Sequence, residues 1–220
     1  MVRPERPGAQ RWVPERPTPA SLVAAIQECR GCELYADATH GVGGRGPQDA
    51  PLMVVGEQPG DQEDKAGEAF VGPAGKLLDR ALDEADIDPA SVYRTNAVKH
   101  FRWERGRGSN RLHKGPSRTH VVACGPWLVA ELDLVRPRGV VLLGATAGQA
   151  VYGPSFRVTR SRGERLAWPE EFGGTPGQHL PEWALATAHP SAVLRSRTRD
   201  EDLAHLVADL GRARELLAGS

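Results

Sequence analysis

The sequence predicts an α/β fold, a three-layer α/β/α sandwich around a mainly parallel four-stranded sheet. Three observations carry that expectation. Short, unbroken apolar runs recur along the chain, helical stretches separate them, and each run ends in polar residues. A strand covered on both faces reads as a continuous apolar run rather than as an alternation. Leu52-Met-Val-Val55, closing on Gly56, is the first such run; residues 92–98, 140–143 and 184–188 supply the others. Strands that alternate with helices imply a parallel sheet with helices on both faces.

The intervening stretches read as helices. Residues 21–29 follow a plausible cap and run into the first cysteine pair. Residues 74–85 place Leu77, Leu78, Ala81, Leu82 and Ala85 on one face behind Pro73 at the first turn. Residues 119–134 form a longer helix in which Pro126 is expected to introduce a kink. Residues 145–151 follow the third strand, and Leu203, Leu206, Val207 and Leu210 mark a closing helix. Ligands of such sheets bind beyond the carboxyl ends of the strands. Here those ends carry Glu57 and Gln58, residues 96–100, Gly144 to Thr146, and His189-Pro-Ser191.

A length of 220 residues suits one domain. Residues 1–19, rich in Pro and Arg, are expected as a disordered arm and residues 20–220 as the folded domain. Removal of residues 1–15 is then expected to leave activity intact. With 28 basic and 28 acidic side chains the net charge is zero, so a nucleic-acid partner needs a local patch. One exists between residues 102 and 118. It holds Arg102, Arg105, Arg107, Arg111, Lys114 and Arg118 against Glu104 alone. That suits a phosphate backbone and equally a solvated loop. No apolar run reaches membrane-span length and no signal core opens the chain, which points to a cytoplasmic protein, at the nucleoid when bound to DNA, and to a monomer. Three cysteines, two of them as Cys29-x-x-Cys32, read in a reducing compartment as metal or redox chemistry rather than a disulfide.

Four motifs in order add a resemblance. Gly56-Glu-Gln-Pro-Gly60, Phe70-Val-Gly-Pro-Ala-Gly75, Thr95-Asn-Ala-Val-Lys99 and His189-Pro-Ser191 resemble those of the uracil-DNA glycosylase superfamily. The cysteine pair with Cys124 resembles its iron–sulfur branch, family 4. Two departures, His100 in place of a cysteine and the longer segment ending Asn110-Arg-Leu-His113-Lys, resemble the uracil-DNA-crosslinking subgroup, UdgX. The similarity spans residues 29–210.

The resemblance implies a set of roles. Cys29, Cys32 and Cys124, with His100 as the fourth ligand, would hold a 4Fe-4S cluster; three Cys and one His also suit zinc, and three buried thiols need no metal. Asn96 would read the Watson–Crick edge of a flipped uracil, Phe70 would stack on it, and Gln58 would lie against it. His189 would stabilise the departing uracil anion at O2. Glu57 would hold an imidazole or face the sugar cation. His113 would attack C1′ and remain attached, making the protein a single-use acceptor. Arg107, Arg111, Lys114, Ser191 and Arg195 would contact DNA, in single or double strands. Two alternatives stay open: a family 4 type glycosylase that turns over with water, and a non-catalytic cluster protein that binds DNA or senses redox state.

Overall fold

The computed structural model describes residues 6–173 and 179–219. In chain order the elements are α1 (Pro19–Gln27), β1 (Leu52–Gly56), α2 (Asp61–Ala66), α3 (Pro73–Glu84), β2 (Val92–Asn96), β3 (Trp103–Arg105) and β4 (Arg111–His113). There follow α4 (Arg118–Val135), β5 (Gly139–Leu143), α5 (Gly144–Tyr152), α6 (Val158–Ser161), β6 (Arg165–Leu166), β7 (Trp183–Thr187), α7 (Pro190–Arg195) and α8 (Arg199–Ala218). The main sheet has the order β2-β1-β5-β7-β6, and β3 and β4 form a separate antiparallel hairpin.

Every residue of β1, β2, β5 and β7 is buried. Alternate side chains divide between two cores, as the two-residue period of a strand requires. Leu52 and Val54 of β1 pack with Leu78, Leu82, Leu206 and Leu210 of α3 and α8. Met53 and Val55 pack on the opposite face with Leu128, Leu132, Ala147 and Val151 of α4 and α5. Each fully buried Leu or Val side chain stabilises by roughly 1.5–3 kcal/mol, so the two cores dominate the stability. The expected mainly parallel sheet with helices on both faces is present. It has five strands rather than four, because β6 pairs antiparallel with β7 over Arg165 and Leu166. Two residues are too few to leave an apolar run. The fourth helix runs from Arg118 to Val135 through Pro126.

A third core lies between α1 and α4. It contains Leu22, Ile26, Cys29, Cys32, Cys124 and Trp127, and it also contains Ala9, which is 1% exposed. Part of the expected arm, around Gly8 and Ala9, is therefore packed on the domain, while residues 1–5 lie outside the described residues. Gly8 N–H donates to Gly31 O at 3.0 Å, Arg6 pairs with Glu33, and Trp12 and Val13 pack against the same core. Small and kinked residues let this segment lie close to the chain beneath it, where a composition rich in Pro and Arg had suggested disorder. Deleting residues 1–15 is accordingly expected to lower stability by about 1–3 kcal/mol, read as an earlier urea midpoint; an unchanged midpoint contradicts the docking.

Candidate functional site

β1, β2, β5 and β7 end at one edge of the sheet, and the loops beyond them enclose a cavity of about 480 Å³. Glu57 and Gln58 line it after β1, Asn96 at the end of β2, Thr146 after β5, and His189 and Ser191 after β7. Phe70 enters from the connection between α2 and α3, Arg195 from the end of α7, and His113 from the hairpin.

Gly56 is the floor. A Cβ there would collide with Asn96 Oδ1, lie 2.8 Å from Phe70 Cζ and 3.4 Å from His189 Nε2. Three site side chains therefore converge over a residue that has none. Asn96 is 3% exposed, and its amide makes no hydrogen bond among the described residues. Phe70 adopts φ 56°, a left-handed conformation that an L side chain takes at a cost of about 1–2 kcal/mol. Gly75 permits it, because a Cβ there would run into the Phe70 carbonyl. Arg45 Nη2 donates to that same carbonyl at 3.3 Å.

His189 is held in one tautomer. Its Nδ1 accepts from the Ser191 N–H at 3.1 Å, which leaves the proton on Nε2, the nitrogen nearest the floor. Burial, reinforced by the positive Arg195 and by His113, brings its pKa down to about 4, so the ring is a neutral donor at neutral pH.

Two joints that sequence reasoning missed fix the loops. Glu63 is 8% exposed and accepts from Gly60 N–H at 3.1 Å and Gly72 N–H at 2.7 Å, so one carboxylate ties the loop after β1 to the loop carrying Phe70. Its place three residues after Gly60, at the third helical position, was the available signal. Thr146 donates from Oγ1 to Glu57 Oε2.

Gln58 lines the cavity, as expected of a residue lying against a ligand, and its side-chain amide is engaged by the hairpin. Its Oε1 accepts from Arg102 N–H at 3.2 Å, and its Nε2 lies 3.1 Å from the carbonyls of Arg102 and Lys114 and 3.0 Å from His113 Nε2. An amide has two N–H hydrogens, so these three acceptors already exceed its donors. Gln58 thus hangs the hairpin over the cavity rather than offering its amide to a ligand. Glu57 Oε1 lies 3.6 Å from His113 Nε2, so Glu57 and Gln58 face the same ring nitrogen instead of Glu57 holding the opposite one. His113 is half exposed at the cavity mouth.

The cationic patch is also partly committed. Arg111 Nε donates to Asp61 Oδ1 and its Nη1 to Asp64 Oδ2, each at 2.6 Å, and its guanidinium lies over the rings of Phe101 and Trp103. At 13% side-chain exposure it anchors the hairpin to α2 and is withdrawn from the surface where it was expected to meet DNA. Trp103 packs there too, donating to Asp37 O at 2.9 Å. Lys114 pairs with Glu104, and Arg107 stands exposed at the hairpin turn.

The cysteines lie apart from the cavity, in the third core. Among the described residues no group of three or more His, Cys, Asp and Glu is arranged around a metal position. The donor chemistry still suits a soft metal centre. Cys29 Sγ accepts from Trp127 Nε1–H at 3.3 Å and from Gly31 N–H at 3.5 Å, and Cys124 Sγ accepts from Lys99 N–H at 3.2 Å. N–H donors aimed at sulfur favour the thiolate, the ligating form, whereas burial alone pushes the Cys124 thiol up to about 12. His100 is buried, and burial lowers its pKa to about 4, which keeps the imidazole neutral as ligation requires.

Comparison with known proteins decides the family. The sequence model of the Uracil DNA glycosylase superfamily matches residues 44–211, well over half of the chain. The chain belongs to the uracil DNA glycosylase superfamily. It is 35% identical over 176 residues to a type-4 uracil-DNA glycosylase of Thermotoga maritima, covering 80% of this chain and 82% of that protein. A type-4 uracil-DNA glycosylase of Archaeoglobus fulgidus is 35% identical over 183 residues, 82% of this chain and 85% of that protein. One from Pyrobaculum aerophilum is 33% identical over 172 residues, 77% of this chain and 81% of that protein. Among the described residues, no helix of this superfamily member is long and apolar enough to cross a membrane.

The buried His189 makes a pH prediction. Its folded pKa lies below the ordinary 6.5, so the unfolded chain takes the proton first. Its contribution to stability is complete above 6.5 and is lost as pH falls toward about 4. The His189 ring resonance is expected to titrate near 4, and His189→Gln to flatten that stretch of the stability profile. A midpoint near 6.5 contradicts the burial.

Proposed function

We propose that this chain excises uracil from DNA by cleaving the bond between the base and deoxyribose. The observation that carries the reading is the convergence of Asn96, Phe70 and His189 on Gly56. A flat heterocycle with two carbonyls fits a ring to stack on, an unengaged amide and an N–H donor. The amide accepts from uracil N3–H and donates to O4, a pattern that cytosine presents in reverse. As the bond from C1′ to N1 breaks, its electron pair leaves with uracil, and the His189 Nε2–H meets the charge that develops at O2. Glu57 faces the positive sugar. Water then adds at C1′ and loses a proton to solvent. The likeness to type-4 enzymes favours this turnover with water.

A second reading rests on His113. Its Nε2 sits at the mouth of the same cavity, and a neutral Nε2 that accepts from Gln58 carries a lone pair rather than a proton. In that reading this nitrogen bonds to C1′ after uracil leaves, and the protein is used once. Arg107, Lys114, Ser191 and Arg195 are the proposed phosphate contacts in either case, with binding that weakens as salt rises.

One assay separates the readings. A labelled oligonucleotide with one uracil is mixed with protein, boiled in detergent and run on a denaturing gel, beside a thymine control. Uracil release is expected from the wild-type protein, and His189→Ala is expected to lose about 10²–10³ of the rate. A shifted band that requires both uracil and His113 establishes capture. Strand breaks after alkali without a shifted band establish turnover. The absence of both products contradicts uracil excision altogether.

For the cofactor, we propose that Cys29, Cys32, Cys124 and His100 hold a 4Fe-4S cluster, as the soft donor set and the similarity to type-4 enzymes suggest. When bound, it supplies a rigid brace between the loop after α1 and helix α4. Protein purified without oxygen is expected to carry iron and sulfide with broad visible absorption, and Cys124→Ser to lose both along with stability. Zinc in their place assigns the site to zinc instead.

A further inference from the structure

Lys99 and Glu131 are both completely buried, and no role in the site has yet used them. Lys99 Nζ donates to Thr95 Oγ1 at 2.6 Å, to Glu131 Oε2 at 2.7 Å and to the backbone carbonyl of Asn96 at 2.8 Å. Its three N–H groups thus meet three acceptors. Glu131 Oε2 also accepts from Thr95 Oγ1 at 2.7 Å, and its Oε1 accepts from Gly44 N–H at 2.9 Å.

Burying two ions costs several kcal/mol each, and well-packed apolar residues often serve stability as well or better. The distinctive product of this pair is geometric. Asn96 is the last residue of β2, at the edge of the sheet, where the pairing with β1 ends at Gly56. With its amide unengaged, the direction of its side chain is set by its backbone. Lys99 grips that backbone. It is itself held at a second point, because its own N–H donates to Cys124 Sγ. Cys124 and Glu131 lie seven residues apart on α4, two turns along one face. The helix therefore holds Lys99 by both its main chain and its ammonium, and Lys99 holds Asn96.

We propose that the Lys99–Glu131 pair is a positioning device that aims the Asn96 amide and so sets the affinity for uracil. This rests on the reading of Asn96 as the group that reads the base. The test is binding of a fluorescent single-stranded oligonucleotide containing one 2′-fluoro-2′-deoxyuridine, whose fluorine slows bond cleavage by disfavouring the sugar cation. A strand with cytosine at that position, whose edge presents the reverse pattern, is the control. The double variant K99M/E131L replaces the ions with apolar side chains of similar size. It is expected to unfold cooperatively, to bind the uracil strand about tenfold more weakly, a change of about 1.4 kcal/mol, and to bind the cytosine strand as the wild type does.

A folded double variant with wild-type uracil affinity overturns the proposal, as does an equal loss on both strands. Glu131→Gln keeps an oxygen acceptor for Lys99 while removing the charge and the acceptor for Gly44 N–H, and it is expected to fold and to lose a smaller factor. If the double variant does not fold, wild-type uracil affinity in Glu131→Gln assigns the pair to stability and overturns the proposal, whereas a loss confined to the uracil strand supports it. A wild-type protein that does not distinguish the two strands overturns the reading of the pocket itself.

Discussion

Four parallel strands with both faces covered have nowhere to present polar groups except at their ends. That constraint organises the molecule. The strands spend their apolar side chains on the two cores, so the groups free to meet a ligand are displaced to the strand ends and the loops at their carboxyl edge. Gly56 is where the constraint meets function. It ends β1 without a side chain, and the vacated volume is where Asn96, Phe70 and His189 come together. The neutral His189 donor follows from the same burial, since the apolar surroundings that fill the cores also withhold water from the ring.

Loops are the compliant part of such a fold, and here three buried carboxylates tie them down. Glu63 joins the two glycine loops, Asp64 holds Thr39 and Arg111, and Glu131 holds Lys99 and Gly44. Each has hydrogen-bond donors supplied to it, which is the condition under which a buried charge is tolerated. The hairpin carrying His113 depends on one of these attachments, Asp64, and on Gln58. Gln58 supports it near its base and Arg111 clamps it to α2. His113 is therefore a surface side chain with a defined position, suited to act on something lodged at the cavity mouth.

Much of this was legible in the sequence. The long strands were, because burial on both faces erases alternation and leaves runs such as Leu52-Met-Val-Val55. The cavity-lining residues were, because glycine loops and isolated polar residues at strand ends are uncommon enough to stand out. Reading failed where partners are distant in the chain. Nothing near Arg111 announces Asp61 and Asp64, so its guanidinium looked available for phosphate. Nothing near Gln58 announces Arg102 and Lys114, so its side chain's hold on the hairpin was not foreseen. The strands β3, β4 and β6 have two or three residues each, below the length at which a period can be recognised. The segment around Ala9 escaped notice because one buried small residue carries no compositional signal.

The central claim is that the cavity over Gly56 is a uracil site. Titrating isotopically labelled protein with free uracil tests it most directly. The account predicts saturable shifts concentrated in the Asn96 side-chain amide, the Gly56 N–H and the His189 ring, with none for cytosine at equal concentration. Shifts absent from those three groups, or located at another surface, would contradict it.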